Sequence, residues 1–217
     1  MTTVTMLQHG KVALALHRLR EGEGRSLLLL HGLGDQSPAT PPAWSESWPG
    51  PVVGLDFTGH GGSTIPRGGG YSAEMLLADA DVALASVGEA TVVGRGLGAY
   101  VALQLAGSRA TAVRGAVLAD GPGLAGGAIQ PTSTSIFLLE PRRTPPDPYV
   151  LVEMSRDLRP PDYATLFARM AVERSGLDEP ITVAAVVRPP WLAAVVDEIG
   201  VARASIGEAL AAYQRVP

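Results

Sequence analysis

The side chains able to do polar chemistry are few, and most stand at the ends of apolar runs. His31 closes the run Ser26 to His31 and opens Gly32-Leu33-Gly34-Asp35. Asp56 and His60 lie in Asp56-Phe57-Thr58-Gly59-His60-Gly61-Gly62-Ser63, after the next run. Asp120 closes Gly115 to Asp120, and Gly94-Arg95-Gly96-Leu97-Gly98 is a turn with no side chain at its centre. Histidine titrates near neutral pH and carboxylates accept protons, so His31, His60, Asp56 and Asp120 are the weak candidates for activating a water. Each also has a plainer role. The histidines would hold glycine-rich loops through backbone hydrogen bonds, and Asp120 would cap the amides of Gly121 or Gly123. Asp35 either shapes the turn beside Ser37-Pro38 or faces a pocket mouth. The four histidines are His9, His17, His31 and His60, so none lies beyond residue 60. Cysteine is absent, which removes thiolate nucleophiles, disulfides and Cys-based metal sites. No metal or cofactor is expected.

These residues need a rigid frame. Thr3 to Gln8 and Lys11 to Leu19 alternate apolar and polar residues about His9-Gly10, as in a β-hairpin. Ser26 to His31, Pro51 to Phe57, Ala90 to Gly94, Gly115 to Asp120 and Ile181 to Val187 are continuous apolar runs, the pattern of strands buried on both faces. Helical stretches lie between or after them: Ser72 to Val87 with Ser72 as N-cap, Leu97 to Ala106, Pro161 to Ser175, Trp191 to Ile199 and Ala204 to Tyr213. Alternating strands and helices give α/β architecture: a mostly parallel twisted sheet of about seven strands, helices on both faces. We expect a single domain over 1–217, with 123–180 a proline-rich excursion or short lid. The stretch after Val187 leaves barely enough chain for another strand.

Three motifs in this order, His31-Gly32-Leu33-Gly34, Asp56 to Ser63, and Gly94 to Gly98 between a strand and a helix, resemble the α/β-hydrolase family. The resemblance covers residues 1–122 well and the remainder loosely. It implies an oxyanion hole made by the Leu33 and Leu97 amides, and a nucleophile elbow at Gly96. The family's serine is replaced there by Gly96, a vestigial nucleophile position that adopts positive φ freely. The family's base, a histidine after the last strand, has no counterpart, and Arg188-Pro189-Pro190-Trp191 stands where its acid usually lies. Loss of nucleophile or base costs about 10⁶-fold in rate, on the order of 8 kcal/mol.

A degenerate member of this kind is expected to bind rather than to hydrolyse. The expected contacts are Gly32, Leu33, Gly34, Asp35, Gly96 and Leu97, with Trp44 and Trp48 overhanging the cleft. Arg95 is expected to pack on the surface. The expected partner is a small apolar carbonyl or carboxylate ligand, or a protein. The alternatives are a hydrolase or lyase using non-triad chemistry in the same cleft, and a structural subunit whose cleft has collapsed.

Composition narrows the field further. The formal charge is −4 with no basic stripe, so nucleic acid is not an expected partner. Hydrophobic residues make up 46% and charged residues 18%, the balance of a globular chain. No apolar run approaches the roughly 18–20 residues of a membrane span, and Met1 to Gly10 lacks a secretory pattern, so a cytoplasmic location is expected. Arginine outnumbers lysine, which occurs once as Lys11, and this resembles the coding bias expected of a high-GC bacterium.

Overall fold

The computed structural model describes residues 3–127, 139 and 144–216. Strands β1 (Thr3–His9) and β2 (Val12–Arg20) form an antiparallel hairpin, turned at Gly10 with φ 58°. They are followed by β3 (Ser26–Leu30), β4 (Val52–Leu55), β5 (Ala90–Arg95), β6 (Val113–Ala119), β7 (Ile181–Val183) and β8 (Val201–Arg203). The sheet has eight strands in the order β1-β2-β4-β3-β5-β6-β7-β8. β2 pairs antiparallel with β4, and every later pairing is parallel.

The leucines of β3 show why its run is continuous rather than alternating. Leu28 and Leu30 join Val53, Leu55, Val92 and Leu118 in one core cluster, while Leu27 and Leu29 join Val52, Val93 and Val117 in another. Successive side chains point to opposite faces, so both faces must be covered. The first face carries α1 (Ala73–Val87), α2 (Leu97–Ser108), α4 (Pro161–Arg174) and α5 (Pro190–Val196). Every residue of α2 from Leu97 to Gly107 is buried, as befits a helix enclosed by its neighbours. Ser72 caps α1 by accepting from the Met75 amide.

The second face carries α6 (Ile206–Tyr213) and, between β3 and β4, a proline-bounded segment with one 3₁₀ turn at Ala43–Ser45. α6 starts with a capping box between Ser205 and Glu208. Its far end is tied across the sheet. Arg25 donates to the carbonyls of Tyr213 and Val216, and Gln214 Nε2 donates to Ser47 O at 3.0 Å. Tyr213 Oη and Thr182 Oγ1 are hydrogen-bonded at 2.8 Å.

Three expectations need correction. The sheet has an eighth strand: Val201–Arg203 pairs with β7 after Gly200, at φ 81°, turns the chain. The apolar run 181–187 is a strand only as far as Val183. Beyond it the amides of Val186 and Val187 bond Asp120, and the two residues are 85% and 63% exposed. An unexpected helix, α3 (Pro148–Ser155), is capped by Asp147 with Pro148 at its first turn.

Within the stretch 123–180, α4 packs against α2 and α5, and a Cβ on Gly107 would lie 2.6 Å from Phe167 O. α3 instead sits over the loops: Tyr71 Oη donates to Asp147 Oδ2 at 2.7 Å, and Glu153 accepts from the amides of Gly70 and Tyr71. Residues 128–138 and 140–143 of the expected excursion lie outside the described residues. Among the described residues no helix is long and apolar enough to cross a membrane.

Candidate ligand site at the carboxyl edge of the sheet

Register brings the sequence motifs together. Leu30 of β3 pairs with Gly94 of β5, and Gly94 pairs with Leu118 of β6. His31, Gly96 and Asp120 therefore emerge side by side at the carboxyl edge, where ligands bind in open parallel sheets. Gly96 makes the strand-to-helix turn at φ 59° and ψ −120°. The bend is tight: a Cβ on Gly98 would lie 2.4 Å from Leu30 O, and one on Gly94 would lie 2.1 Å from Gly98 O.

The space above Gly96 is filled by the chain itself. The Leu33 and Leu97 amides, the expected oxyanion donors, converge on one acceptor, the carbonyl oxygen of Pro122, each at 2.9 Å. A Cβ on Gly96 would lie 2.0 Å from that oxygen. The fit depends on missing side chains nearby. A Cβ on Gly121 would meet Gly96 N at 2.8 Å, one on Gly123 would meet Leu33 Cβ at 2.5 Å, and one on Gly32 would meet Pro122 Cδ at 2.8 Å.

The plug is anchored from behind. Arg159, 1% exposed, donates through Nη1 to Gly123 O at 2.6 Å and to Leu124 O at 2.8 Å. Its guanidinium lies 4.6 Å from the Tyr100 ring centroid and pairs with Asp157 at 3.3 Å. Trp191 Nε1 adds a second donor to Leu124 O at 2.8 Å. Sequence reasoning missed both Pro122 and Arg159. Glycines on both sides of Pro122 were the available signal.

The four candidate acid–base residues are all engaged with backbone. His31 Nε2 accepts from the Phe57 amide at 3.1 Å, and its Nδ1 faces Gly32 O at 2.7 Å. His60 Nε2 accepts from the Gly34 amide at 3.1 Å, and its Nδ1 faces Thr58 O at 3.2 Å. Burial holds the His60 pKa down to about 4, with the neighbouring His31 adding to the effect, so its ring is neutral at pH 7. Burial lowers His31 as well.

Asp56 accepts from the amides of Ser37 and Gly62, each at 2.7 Å, and pairs with His17 Nε2 at 2.8 Å. Burial pushes its carboxyl up, but the Gly62 and Ser37 amides and His17 outweigh this and leave the pKa lowered. Asp120 accepts from the Val186 and Val187 amides at 2.7 and 3.0 Å, and not from Gly121 or Gly123 as expected. It thereby fixes the loop after β7. A further half-buried pair, His9 with the buried Asp79 at 2.8 Å, had no sequence signal because its partners are 70 residues apart.

Beside the plug, on the α6 face, a cavity of about 560 Å³ remains open. Its wall includes Leu29, Val93, Asp35, Ser37, Trp44 and Arg95. Trp48 does not reach it. That ring is 3% exposed in the core, donates to Arg25 O at 2.9 Å and lies under the Arg25 guanidinium. Gly34 and Asp35 line the cavity, whereas Gly32, Leu33, Gly96 and Leu97 surround Pro122 instead. Among the described residues, no group of three or more His, Asp or Glu side chains could hold a metal.

Comparison with known proteins agrees with this architecture. The chain overlays a thioesterase domain from the curacin biosynthetic pathway over 99% of its own length and 97% of that chain, with a TM-score of 0.66 at 16% identity. It also aligns with an N-acyl homoserine lactone degrading enzyme, Est816, at 25% identity over 56% of this chain and 47% of that one, TM-score 0.46. An E-2-(acetamidomethylene)succinate hydrolase aligns at 25% identity over 54% and 44%, TM-score 0.46. No curated protein matched the sequence. The model of the alpha/beta hydrolase family, Abhydrolase_6, matches residues 27–217. With that match and an eight-stranded sheet turning at a glycine elbow, the chain belongs to the alpha/beta hydrolase family.

Proposed function

We propose that this protein is a non-catalytic alpha/beta hydrolase, which binds a small carbonyl- or carboxylate-bearing ligand, or a protein partner, instead of hydrolysing an ester. One observation carries the reading: Pro122 O accepts from both oxyanion amides at 2.9 Å, where a substrate carbonyl would need them free. Gly96 supplies no nucleophile beneath that oxygen, and no histidine follows β8. Loss of nucleophile and base from a triad removes about 10⁶-fold in rate, and the hole that could retain roughly 10³-fold over water is occupied. The competing reading is a water activated by His31, His60, Asp56 or Asp120. It draws little support, because their ring nitrogens and carboxylate oxygens are already bonded to backbone.

Short-chain nitrophenyl esters and a fluorophosphonate probe test this directly. Turnover no faster than that of an unrelated control protein, with no labelling, is the expected result. Stoichiometric labelling mapped to one serine, such as Ser37 or Ser63, would overturn it.

A further inference from the structure

The cavity beside the plug carries polar groups that the fold leaves unused. Among the described residues Arg95 and Asp35 make no side-chain hydrogen bond or ion pair, with each other or with any neighbour, although both stand in the same wall. Ser37, also in the wall, is 7% exposed, and its hydroxyl is buried against Gly54 with no hydrogen-bond partner. Buried hydroxyls are normally paired, but this one is shut off from the cavity, so the charged groups a ligand can meet are Arg95 and Asp35. Apart from His31 and Gln36 the rest of the lining is apolar, with Leu29, Val93, Pro38 and Pro42 in the wall and Trp44 offering an aromatic face. Its volume of about 560 Å³ falls within the roughly 300–1,000 Å³ of small-molecule pockets.

Electrostatics selects among small ligands. A simple carboxylate would meet Arg95 favourably but also face the Asp35 carboxylate, and a simple amine would face the Arg95 guanidinium. A molecule with both charges satisfies both groups, and each wrong charge is rejected by one of them. We propose that this cavity binds a zwitterionic amino acid or dipeptide with an apolar side chain. Its carboxylate lies on Arg95, its ammonium on Asp35, and its side chain packs against Trp44, Leu29 and Val93. The proposal rests on the binding reading above and names the ligand class for it. It moves the carboxylate expected at Gly96 and Leu97 to the neighbouring cavity.

The test is calorimetric titration of the full chain with L-phenylalanine and L-phenylalanyl-L-leucine, compared with 3-phenylpropionate and phenylethylamine. The expected result is saturable binding of at least one zwitterion, with each single-charge analogue weaker by about tenfold or more. Arg95→Gln should erase the preference over phenylethylamine, and Asp35→Asn the preference over 3-phenylpropionate. Neither side chain has a bonded partner to lose, so both variants should fold as the parent does, checked by their unfolding midpoints. Absence of binding by every probe at millimolar concentration overturns the proposal, as does binding that neither variant changes. These outcomes are separate from the ester assay, so zwitterion binding together with ester turnover would sink only the non-catalytic reading.

Discussion

Two neighbouring spaces at the carboxyl edge of one sheet have opposite characters. Above Gly96, the Pro122 carbonyl is held by two amides, and the carbonyls behind it are held by Arg159 and Trp191. Beside it, between the 35–44 segment and the ends of β3 and β5, Arg95, Asp35 and the Ser37 hydroxyl have no partner among the described residues. Solvent reaches Arg95 and Asp35, so only the Ser37 hydroxyl is buried and unmatched, and all three groups stand beside the elbow rather than above it. On the proposed non-catalytic reading, the contrast teaches that a lost active site is recognised less by a missing side chain than by what has taken its place.

The comparison is most easily broken at the anchor. Arg159→Leu removes the ion-pair partner of Asp157, strands the Gly123 carbonyl and leaves Leu124 O with Trp191 alone, and should cost about 3–5 kcal/mol in urea unfolding, as for a broken buried ion pair. An unchanged midpoint would mean that the plug is held without it.

Gly96→Ser attacks the plug from below. Its Cβ would lie 2.0 Å from Pro122 O at a residue with φ 59°. Strain of about 1 kcal/mol from the conformation and 1–3 kcal/mol from overpacking should add, so we expect a loss of about 2–4 kcal/mol and no esterase activity. Robust ester turnover in this variant would show that a base exists and that Pro122 yields to substrate.

Acid sharpens the picture of the loops under the plug. His60 takes up a proton below 6.5 in the unfolded chain but only below about 4 when folded. Between those values the unfolded state binds more protons. Stability that is full above pH 6.5 is therefore lost as pH falls toward 4, by about 3 kcal/mol from this residue. Buried His31 acts in the same direction, and the raised carboxyls of Asp79 and Asp157 oppose it. His60→Asn should flatten the pH dependence of unfolding in that window, and an equally steep profile would reject the assignment.

The smallest effect is expected in the open space. Arg95→Gln should change stability by no more than about 0.5 kcal/mol, the usual range for an exposed side chain with no bonded partner. A large loss would show that Arg95 serves the fold.

The apolar runs and the glycines of the 94–98 turn made the sheet and elbow legible, because a strand buried on both faces and a turn with positive φ leave few residue choices. β8 was illegible, since three residues cannot display a period. The end of β7 was misplaced because Val186 and Val187 are apolar yet their amides serve Asp120. The plug was hidden for another reason. Gly121-Pro122-Gly123 has the composition of any loop, and its meaning lies in Leu33 and Leu97, which only the register of β3, β5 and β6 brings beside it. Trp48 went astray because aromatic residues near prolines suit a cleft rim and a core equally well.

The tie from Arg25 to the carbonyls of Tyr213 and Val216 has a consequence for biosynthesis. β3 is a central strand flanked by β4 and β5, and its leading residues lie against α6, which is synthesised after all eight strands. While the chain emerges from the ribosome, the face bearing Leu27, Leu29 and Val93 stays only partly covered, by the segment carrying Trp44 and Trp48, until residues 206–216 are made. A message truncated shortly before that point would yield a nearly complete sheet with one greasy side, a form suited to capture by chaperones and rapid degradation.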